Sequence, residues 1–258
     1  MKKLKELYQY REMIFTSIQK DLDVAYRRSS LGTLWLFLNP LLQLAVYNFV
    51  FSEILQVGTE NYFVFLASAL IPWMFFSSSI TGGARCILNA QDMVKKVYYP
   101  REIMPISYTI TTAITMLLSM GMIYLLLILF GIKINLGAMA YLPLLIVIEF
   151  FFALGMVLIV ASLTVYFRDM EFILGIVTMA WQFLTPVMYP IDIVPEAIRP
   201  IWRLNPMTPI IEAYRSVIYD QMVPNVQQLA LSMIMTIIAM VLGGIIFSKL
   251  QKGFVEEL

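Results

Sequence analysis

Side chains that could carry out catalysis are few in this sequence of 258 residues. It contains no histidine and one cysteine, Cys86. Imidazole bases, Ser-His-Asp triads and histidine-ligated metals are therefore excluded, and no disulfide can form within the chain. The phosphate-binding pattern GxxxxGK[ST] does not occur, so the chain cannot hold ATP in the manner of a P-loop protein. The sequence predicts no catalytic, cofactor-binding or metal site.

A few charged residues in apolar surroundings need another explanation. Glu149 lies well inside a long apolar segment, where a carboxylate costs roughly 2.5–3.5 kcal/mol on insertion scales. We interpret it as a structural residue that links helices; protonation or contact with a substrate are the alternatives. Arg168, Asp169 and Glu171 come closest to an acidic catalytic cluster, but they fit a turn between two apolar segments.

Composition indicates where such a chain resides. Hydrophobic residues make up 60% and charged residues 14%, and the mean hydropathy is +0.79. Soluble domains have about 25% charged residues. Because a soluble fold cannot bury this much apolar surface, the sequence predicts a membrane protein.

Six apolar windows reach the length of about 20 residues that a membrane-spanning helix needs. The windows are Ser29–Ser52, Asn61–Ala84, Ile103–Ile132, Ile134–Phe167, Phe172–Ile191 and Gln221–Ser248. They are apolar on all sides, unlike the alternating strands of a barrel. The predicted fold is an all-α integral membrane protein with spans at about 31–53, 62–84, 105–131, 141–165, 172–191 and 226–248. Segments 1–28 and 251–258 flank the transmembrane domain, 29–250.

The distribution of lysine and arginine predicts the orientation. Fourteen of these residues fall on the side of both termini and four on the other: Lys133, Arg199, Arg203 and Arg215. By the positive-inside rule, both termini are cytoplasmic in a multi-pass protein of the inner or plasma membrane.

Residues 4–26 carry an apolar stripe at helical spacing, formed by Leu4, Leu7, Tyr8, Ile14, Phe15, Ile18, Leu22, Ala25 and Tyr26. This pattern predicts an amphipathic helix in the membrane interface. A soluble tail helix is the alternative.

The second cytoplasmic connection, Arg85–Glu102, has a two-sided pattern. Ile87, Ala90, Met93, Val94 and Val97 share one face of a predicted short helix that ends before Pro100, and charged residues occupy the other face. Such a helix suits docking to a partner. A basic loop that only fixes the topology is an equally good interpretation of the spacing.

The fifth loop, Asp192–Asp220, is unusually apolar for an outer loop. It predicts one helix from Pro195 to about Arg203 and another that Thr208 caps, with Pro209 in its first turn. The two could re-enter the outer leaflet with their arginines at interface depth; an ordinary extracellular loop is the alternative. Pro186 and Pro190 predict a kinked or unwound end of the fifth span, a plausible gate.

Several of these segments together resemble one family. YRRSSLGTLWLFLNPLLQ (Tyr26–Gln43) and VYNFVF (Val46–Phe51) resemble the first span of type 2 ABC exporters of the polysaccharide subgroup. LNAQDMVKKVYYPREIMP (Leu88–Pro105) is similar to their coupling helix. LTPVMYP (Leu184–Pro190) and LNPMTPIIEAYR (Leu204–Arg215) are similar to their fifth span and outer gate helices.

This resemblance implies a homodimer that docks two nucleotide-binding subunits, which bind the ATP and magnesium, and that exports a lipid-diphosphate-linked glycan. It implies ATPase-coupling residues Leu88, Gln91, Asp92, Lys95, Lys96, Tyr99 and Arg101, and an outer gate containing Pro195, Trp202, Pro209, Glu212 and Arg215. The channel would lie at the dimer interface between first and fifth spans. Trp35, Phe37, Tyr47, Trp181 and Tyr189 are candidate channel residues, because aromatic rings stack on sugar faces. The alternative is that the Trp and Tyr residues mark the membrane interface and that Phe faces lipid.

Other functions remain open at this stage. A drug or lipid exporter of the same class fits the same features. A secondary transporter would need several charged groups at the midplane, and a glycosyltransferase would need an acidic cluster; neither pattern is evident. No nucleic-acid partner is expected from a net charge of +1. The sequence leaves open which glycan is exported, O-antigen, teichoic acid or capsule.

Overall fold

The computed structural model describes residues 2–26, 30–129, 131 and 135–258, and these residues form helices and connections without a strand. Arg27, Arg28 and Lys133, used above for the orientation, and the side chains of Leu4, Ala25 and Tyr26 lie outside the described part. The α-helices are α1 Lys2–Gln9, α2 Arg11–Tyr26, α3 Trp35–Asn48, α4 Tyr62–Gly83, α5 Gln91–Lys96, α6 Ile103–Leu129, α7 Leu136–Met139, α8 Leu142–Tyr166, α9 Met170–Phe183, α10 Arg199–Leu204, α11 Met207–Ile218, α12 Val226–Leu250 and α13 Phe254–Glu257.

Five helical segments of the described chain are long and apolar enough to cross a bilayer: Gly32–Ile54, Tyr62–Gly83, Ile103–Leu129, Leu136–Tyr166 and Val226–Glu257. The first contains α3, continued by a π-helical turn at Phe49–Ile54. α9 is apolar but only 14 residues long, and the chain after it is irregular. Isoleucines of α12 such as Ile234 and Ile237 are more than half exposed, as expected of a surface that faces lipid.

The centre of the molecule is α4, which packs against α3, α6, α8, α9 and α11. Its residues are mostly buried, although it contains Pro72. Phe76 stacks on Phe152 of α8 at 5.3 Å between ring centroids and meets Trp181 of α9 edge-on at 5.1 Å. Aromatic packing of this kind joins three helices at one point of the core.

α8 and α12 approach one another more closely than side chains would allow. A Cβ atom at Gly155 would lie 2.6 Å from the carbonyl carbon of Ala239, and one at Gly243 would collide with the backbone of Gly155. Small residues permit this backbone contact between membrane helices. The next residue, Gly244, has open space around it.

Both termini lie at the same end of the helix bundle, which we call the terminal end. Leu7 of α1, Val94 of α5 and Phe247 of α12 line one cavity there. Phe254 of α13 is fully buried in the same apolar cluster. The amphipathic segment is divided at Tyr10 into α1 and α2, and α2 packs against α6.

The two helices of the fifth loop begin at other residues than those predicted. α10 starts at Arg199 rather than Pro195, because residues 196–198 form a turn. Thr208 does not cap α11. Instead, the side chain of Asn205 accepts a hydrogen bond from the N–H of Met207 at 3.0 Å, so the helix starts one residue earlier than Thr208.

Candidate functional site

The connection between α4 and α6 forms a charged surface at the terminal end. A single 3₁₀ turn at Leu88–Ala90 leads into α5, which spans six residues. Gln91, Asp92, Lys95 and Lys96 are exposed, and the Lys96 ammonium lies 3.8 Å from the Asp92 carboxylate. Ile87 and Val94 are buried beneath them. The connection therefore has an anchored apolar side and a free charged side, with Leu88 partly buried at the boundary.

The inner side of this connection is fixed to the rest of the bundle. Tyr99 is only 4% exposed, and burial raises the pKa of its phenol to about 12. Arg101 donates a hydrogen bond to the Gln251 carbonyl and lies over the Phe254 ring. Tyr99 and Arg101 thus attach the inner side of the connection to the rest of the bundle. Val97 was predicted on the apolar face, but it follows the end of α5 in an extended conformation and is exposed.

At the opposite end, α9 ends at Phe183, and the chain to Pro190 is not helical. This unwound segment, 184–190, agrees with the interpretation of Pro186 and Pro190. The side chain of Asn205 fixes the start of this segment. Its amide nitrogen donates to the Leu184 carbonyl at 3.0 Å and to the Thr185 hydroxyl at 2.8 Å. Its amide oxygen accepts from the indole of Trp181 at 2.8 Å. Sequence reasoning missed Asn205, although an asparagine before a helix start is a capping signal.

Arg215 holds the middle of the unwound segment, and its predicted position at interface depth stays a prediction. Its side chain is 7% exposed. The guanidinium donates to the carbonyls of Pro186 at 2.7 Å and Val187 at 3.2 Å, and it lies 3.8 Å from the centroid of the Phe65 ring. Backbone carbonyls freed from a helix need such donors at membrane depth.

Of the remaining predicted gate residues, Trp202 bonds the same segment. The Trp202 indole donates to the Tyr189 hydroxyl at 2.8 Å, and that hydroxyl donates to the Phe183 carbonyl at 2.7 Å. Pro209 is buried in α11, Glu212 accepts from the Gln228 amide at 2.8 Å, and Pro195 is exposed. Tyr62, which the sequence did not single out, donates to the Met188 carbonyl at 2.6 Å.

The aromatic residues proposed for the channel differ in their surroundings. Trp35 is 39% exposed, Phe37 and Tyr47 are partly buried, and Trp181 and Tyr189 engage their own chain through the hydrogen bonds above. More exposed rings lie in the π-helical turn after α3 and in α9, with exposed fractions of 60% for Phe49, 72% for Phe172 and 57% for Phe183. These three rings are more exposed than any of the five predicted channel residues.

Glu149 is fully buried in the middle of α8. It lies next to the Tyr214 phenol of α11, which in turn lies near Tyr124 of α6. Among the described residues, neither carboxylate oxygen nor either phenol makes a hydrogen bond of good geometry. The carboxyl thus lies between α8 and α11, and the interpretation of Glu149 as a residue that links helices stays a prediction.

These features define a multi-pass helical membrane protein. Charged contacts lie at one end of the bundle, and the unwound segment with its hydrogen-bonding side chains lies at the other. The described residues contain no cluster of acidic or sulfur side chains that could hold a metal. The family model of the ABC-2 type transporter matches residues 12–219. The chain belongs to this family.

The similarity to individual relatives extends over almost the full chain. The chain is 30% identical over 257 residues to an O-antigen export system permease protein RfbA of Myxococcus xanthus, and the alignment covers 99% of this chain and 98% of the relative. Two proteins of the same name from Klebsiella pneumoniae are 30% and 29% identical over 247 residues, covering 96% of this chain and 95% of each relative. The chain is accordingly a non-enzymatic membrane permease of an ABC exporter, a kind of protein that works with an ATPase partner.

Proposed function

We propose that the chain is the permease subunit that moves a lipid-linked polysaccharide of the O-antigen, teichoic acid or capsule type out of the cytoplasm. The observation that carries this proposal is the similarity, over nearly all of both chains, to permeases named for O-antigen export. Drug or lipid export by the same family is the alternative, and the aromatic surfaces of α3 and α9 favour a glycan over small cargo.

The proposed topology has six crossings, with α9 and the unwound segment as the fifth. Arg85, just after α4, forms a 2.9 Å ion pair with Glu171 at the start of α9. Tyr62, at the other end of α4, bonds the Met188 carbonyl. α9 and its extension therefore run the full length of α4. A sixth crossing also accounts for both termini lying at one end, which the distribution of lysine and arginine makes cytoplasmic.

The energy for export is proposed to enter at the terminal end. ATP and magnesium would bind to two separate nucleotide-binding subunits, since this chain has no phosphate-binding loop. The free side of α5 would receive their motion. The anchored side, with Ile87, Val94 and Tyr99, would pass it to α4 and α6 because these residues are buried between the helices.

The channel is proposed to form between two copies of the chain. α3 and α9 both pack on α4. The outer faces of α9 and of α3 with its π-helical continuation carry exposed aromatic and aliphatic side chains, among them Trp35, Phe49, Phe172 and Phe183. Two such surfaces facing each other would enclose an aromatic wall along which sugar rings can slide. Outward, the path would end at α10, α11 and the unwound segment.

The test is carried out in cells from which the gene has been deleted. We expect one surface glycan to disappear and its lipid-linked form to accumulate inside, and the native gene to reverse both. The double variant Lys95→Glu/Lys96→Glu should fail to restore export because it reverses the charge of the docking face. Lys249 is an exposed lysine at the same membrane side but outside that face. The variant Lys249→Glu should therefore restore export.

Two outcomes would contradict the proposal. An unchanged set of surface glycans after deletion would reject polysaccharide export in favour of another cargo. Export of the glycan by the permease in cells that lack every candidate ATPase partner would reject ATP-driven transport.

A further inference from the structure

A second cavity, of about 540 Å³, lies between α2, α3, α4 and α6. It extends from Lys20 and Asn89 at the terminal end to Asn39 and Ser119 within the spans. It is separate from the exposed faces of α9 and from the gate at the opposite end. The cavity is thus an opening within one subunit at the level of one leaflet.

The polar residues of this cavity sit at membrane depth. Asn39 of α3 and Ser78 of α4 are exposed, and Thr115 of α6 is partly buried. An amide or hydroxyl exposed to hydrocarbon without a partner costs several kcal/mol on alkane scales, about 4–8 kcal/mol. The cavity is therefore suited to polar contents rather than to acyl chains alone.

The wall formed by α6 offers hydrogen-bond acceptors. The hydroxyls of Thr111, Thr115 and Ser119 each donate to the backbone carbonyl four residues earlier, at 2.9, 3.1 and 2.9 Å. A hydroxyl has one proton and two lone pairs, so these oxygens are left to accept. Their natural partners are groups that donate, such as the free hydroxyls of a polyol or sugar.

The mouth and the floor of the cavity add two further properties. Lys20 and Asp21 of α2 line the cavity at its mouth, and the Lys20 ammonium can bind a phosphate as a point charge. Ile71, Phe75 and Met116 supply an apolar surface further in. A ligand that satisfies all parts has a phosphate, hydroxyl groups and a hydrocarbon tail.

We propose that this cavity binds a membrane lipid whose headgroup carries a phosphate together with free hydroxyl groups. The hydroxyls donate to the oxygens of α6 and to Asn39, and the phosphate lies beside Lys20. Two lipids share this chemistry: a glycerol-headed phospholipid and a polyprenyl diphosphate that carries a sugar. Binding of the first is independent of the proposed function, whereas binding of the second rests on it.

The test measures lipid binding without ATP or transport. The full-length protein is delipidated and reconstituted in nanodiscs of phosphatidylcholine, which has a phosphate but no headgroup hydroxyl. Phosphatidylglycerol or a polyprenyl-diphosphate-linked monosaccharide is then added, and retained lipid is counted by native mass spectrometry. We expect at least one of the two probes to be retained in preference to phosphatidylcholine. The probe that is retained shows whether the ligand is a glycerol-headed phospholipid or a sugar-bearing polyprenyl diphosphate.

Variants show whether the retained lipid occupies this cavity. The double variant Asn39→Leu/Thr115→Val should weaken retention about tenfold or more, the effect of losing one to two hydrogen bonds. Thr164→Val is the matched control, because Thr164 is a fully buried threonine of α8 with the same bond to a preceding carbonyl, outside the cavity. Lys20→Gln should weaken the retention of each probe that the native protein retains, because both carry a phosphate.

Equal retention of all three lipids would overturn the inference. So would equal loss of retention in the Thr164→Val control and the double variant, because the effect would then be one of general stability. Transport failing while lipid retention is intact would speak against the proposed function and leave this inference standing.

Discussion

Arg215 links three separate parts of the chain through a single side chain. It bonds two carbonyls of the unwound segment, stacks on Phe65 of α4 and belongs to α11. We expect Arg215→Leu to lower the free energy of unfolding by about 2–4 kcal/mol, because buried carbonyls lose their charged donor. Arg215→Lys should recover only part of this loss, since an ammonium lacks the planar fork and the stack. Thermal unfolding in detergent measures both.

Arg203→Leu provides the control for Arg215. Arg203 is an exposed arginine of the neighbouring helix α10, so its replacement should change the free energy of unfolding by about 0.5 kcal/mol or less. If Arg215→Leu behaved like Arg203→Leu, the buried guanidinium would have no structural role.

Glu149 permits a separate prediction at the same scale. It forms no ion pair among the described residues and lies beside Tyr214. Glu149→Gln keeps the shape and loses no ion pair, so we expect a change in unfolding free energy below about 1 kcal/mol and normal export. Glu149→Lys should prevent folding, because it puts an unpaired cation among buried residues. A well-folded Glu149→Gln protein that cannot export would instead indicate a role in transport.

At the scale of elements, sequence patterns located the helices better than their ends. Apolar windows predict long helices because hydrocarbon tolerates no unpaired backbone. The start of α11 was misplaced because the local signal of Thr208 and Pro209 competes with Asn205, whose side chain also bonds Trp181 and Leu184 some 20 residues away. Contacts over such a distance along the chain leave no periodic pattern.

The contact between α8 and α12 gives a prediction with a control on the adjacent residue. Gly243→Leu should destabilise the protein by several kcal/mol, on the order of 3, because its side chain would enter the backbone of α8. Gly244→Leu faces open space and should be tolerated or slightly stabilising, since glycine disfavours helix. Unfolding of both variants in detergent is compared, and equal effects would show that the close contact does not matter.

At the scale of the whole molecule, orientation can be tested with single cysteines. Cys86 is buried, and burial raises the pKa of its thiol, so it gives little background. Tyr98→Cys lies in the connection next to α5 and Leu204→Cys at the end of α10, at positions 84% and 72% exposed. In intact cells a membrane-impermeant maleimide should label Leu204→Cys alone, and Tyr98→Cys only after permeabilisation. The reverse pattern would invert the proposed topology.

Which faces of the spans meet in an assembly is harder to predict than the orientation of the spans, for a physical reason. Spans that are apolar on all sides carry no polar face to show which side points inward. Trp181 and Phe183 are two residues apart in α9, yet Trp181 packs on Phe76 while Phe183 is exposed. Charge, by contrast, follows a simple rule across the membrane, and so orientation can be predicted from the positions of lysine and arginine along the sequence.

The glycine contact also limits how the subunit can change shape. Where backbone touches backbone, α8 and α12 cannot slide past each other by a fraction of a turn without a collision, so we expect them to translate as one rigid body. Helices joined by side chains, such as α3 and α9 on α4, can shift with changes of rotamer. Widening of a path for cargo would then fall to α3 and α9, with the α8–α12 pair as the stationary reference.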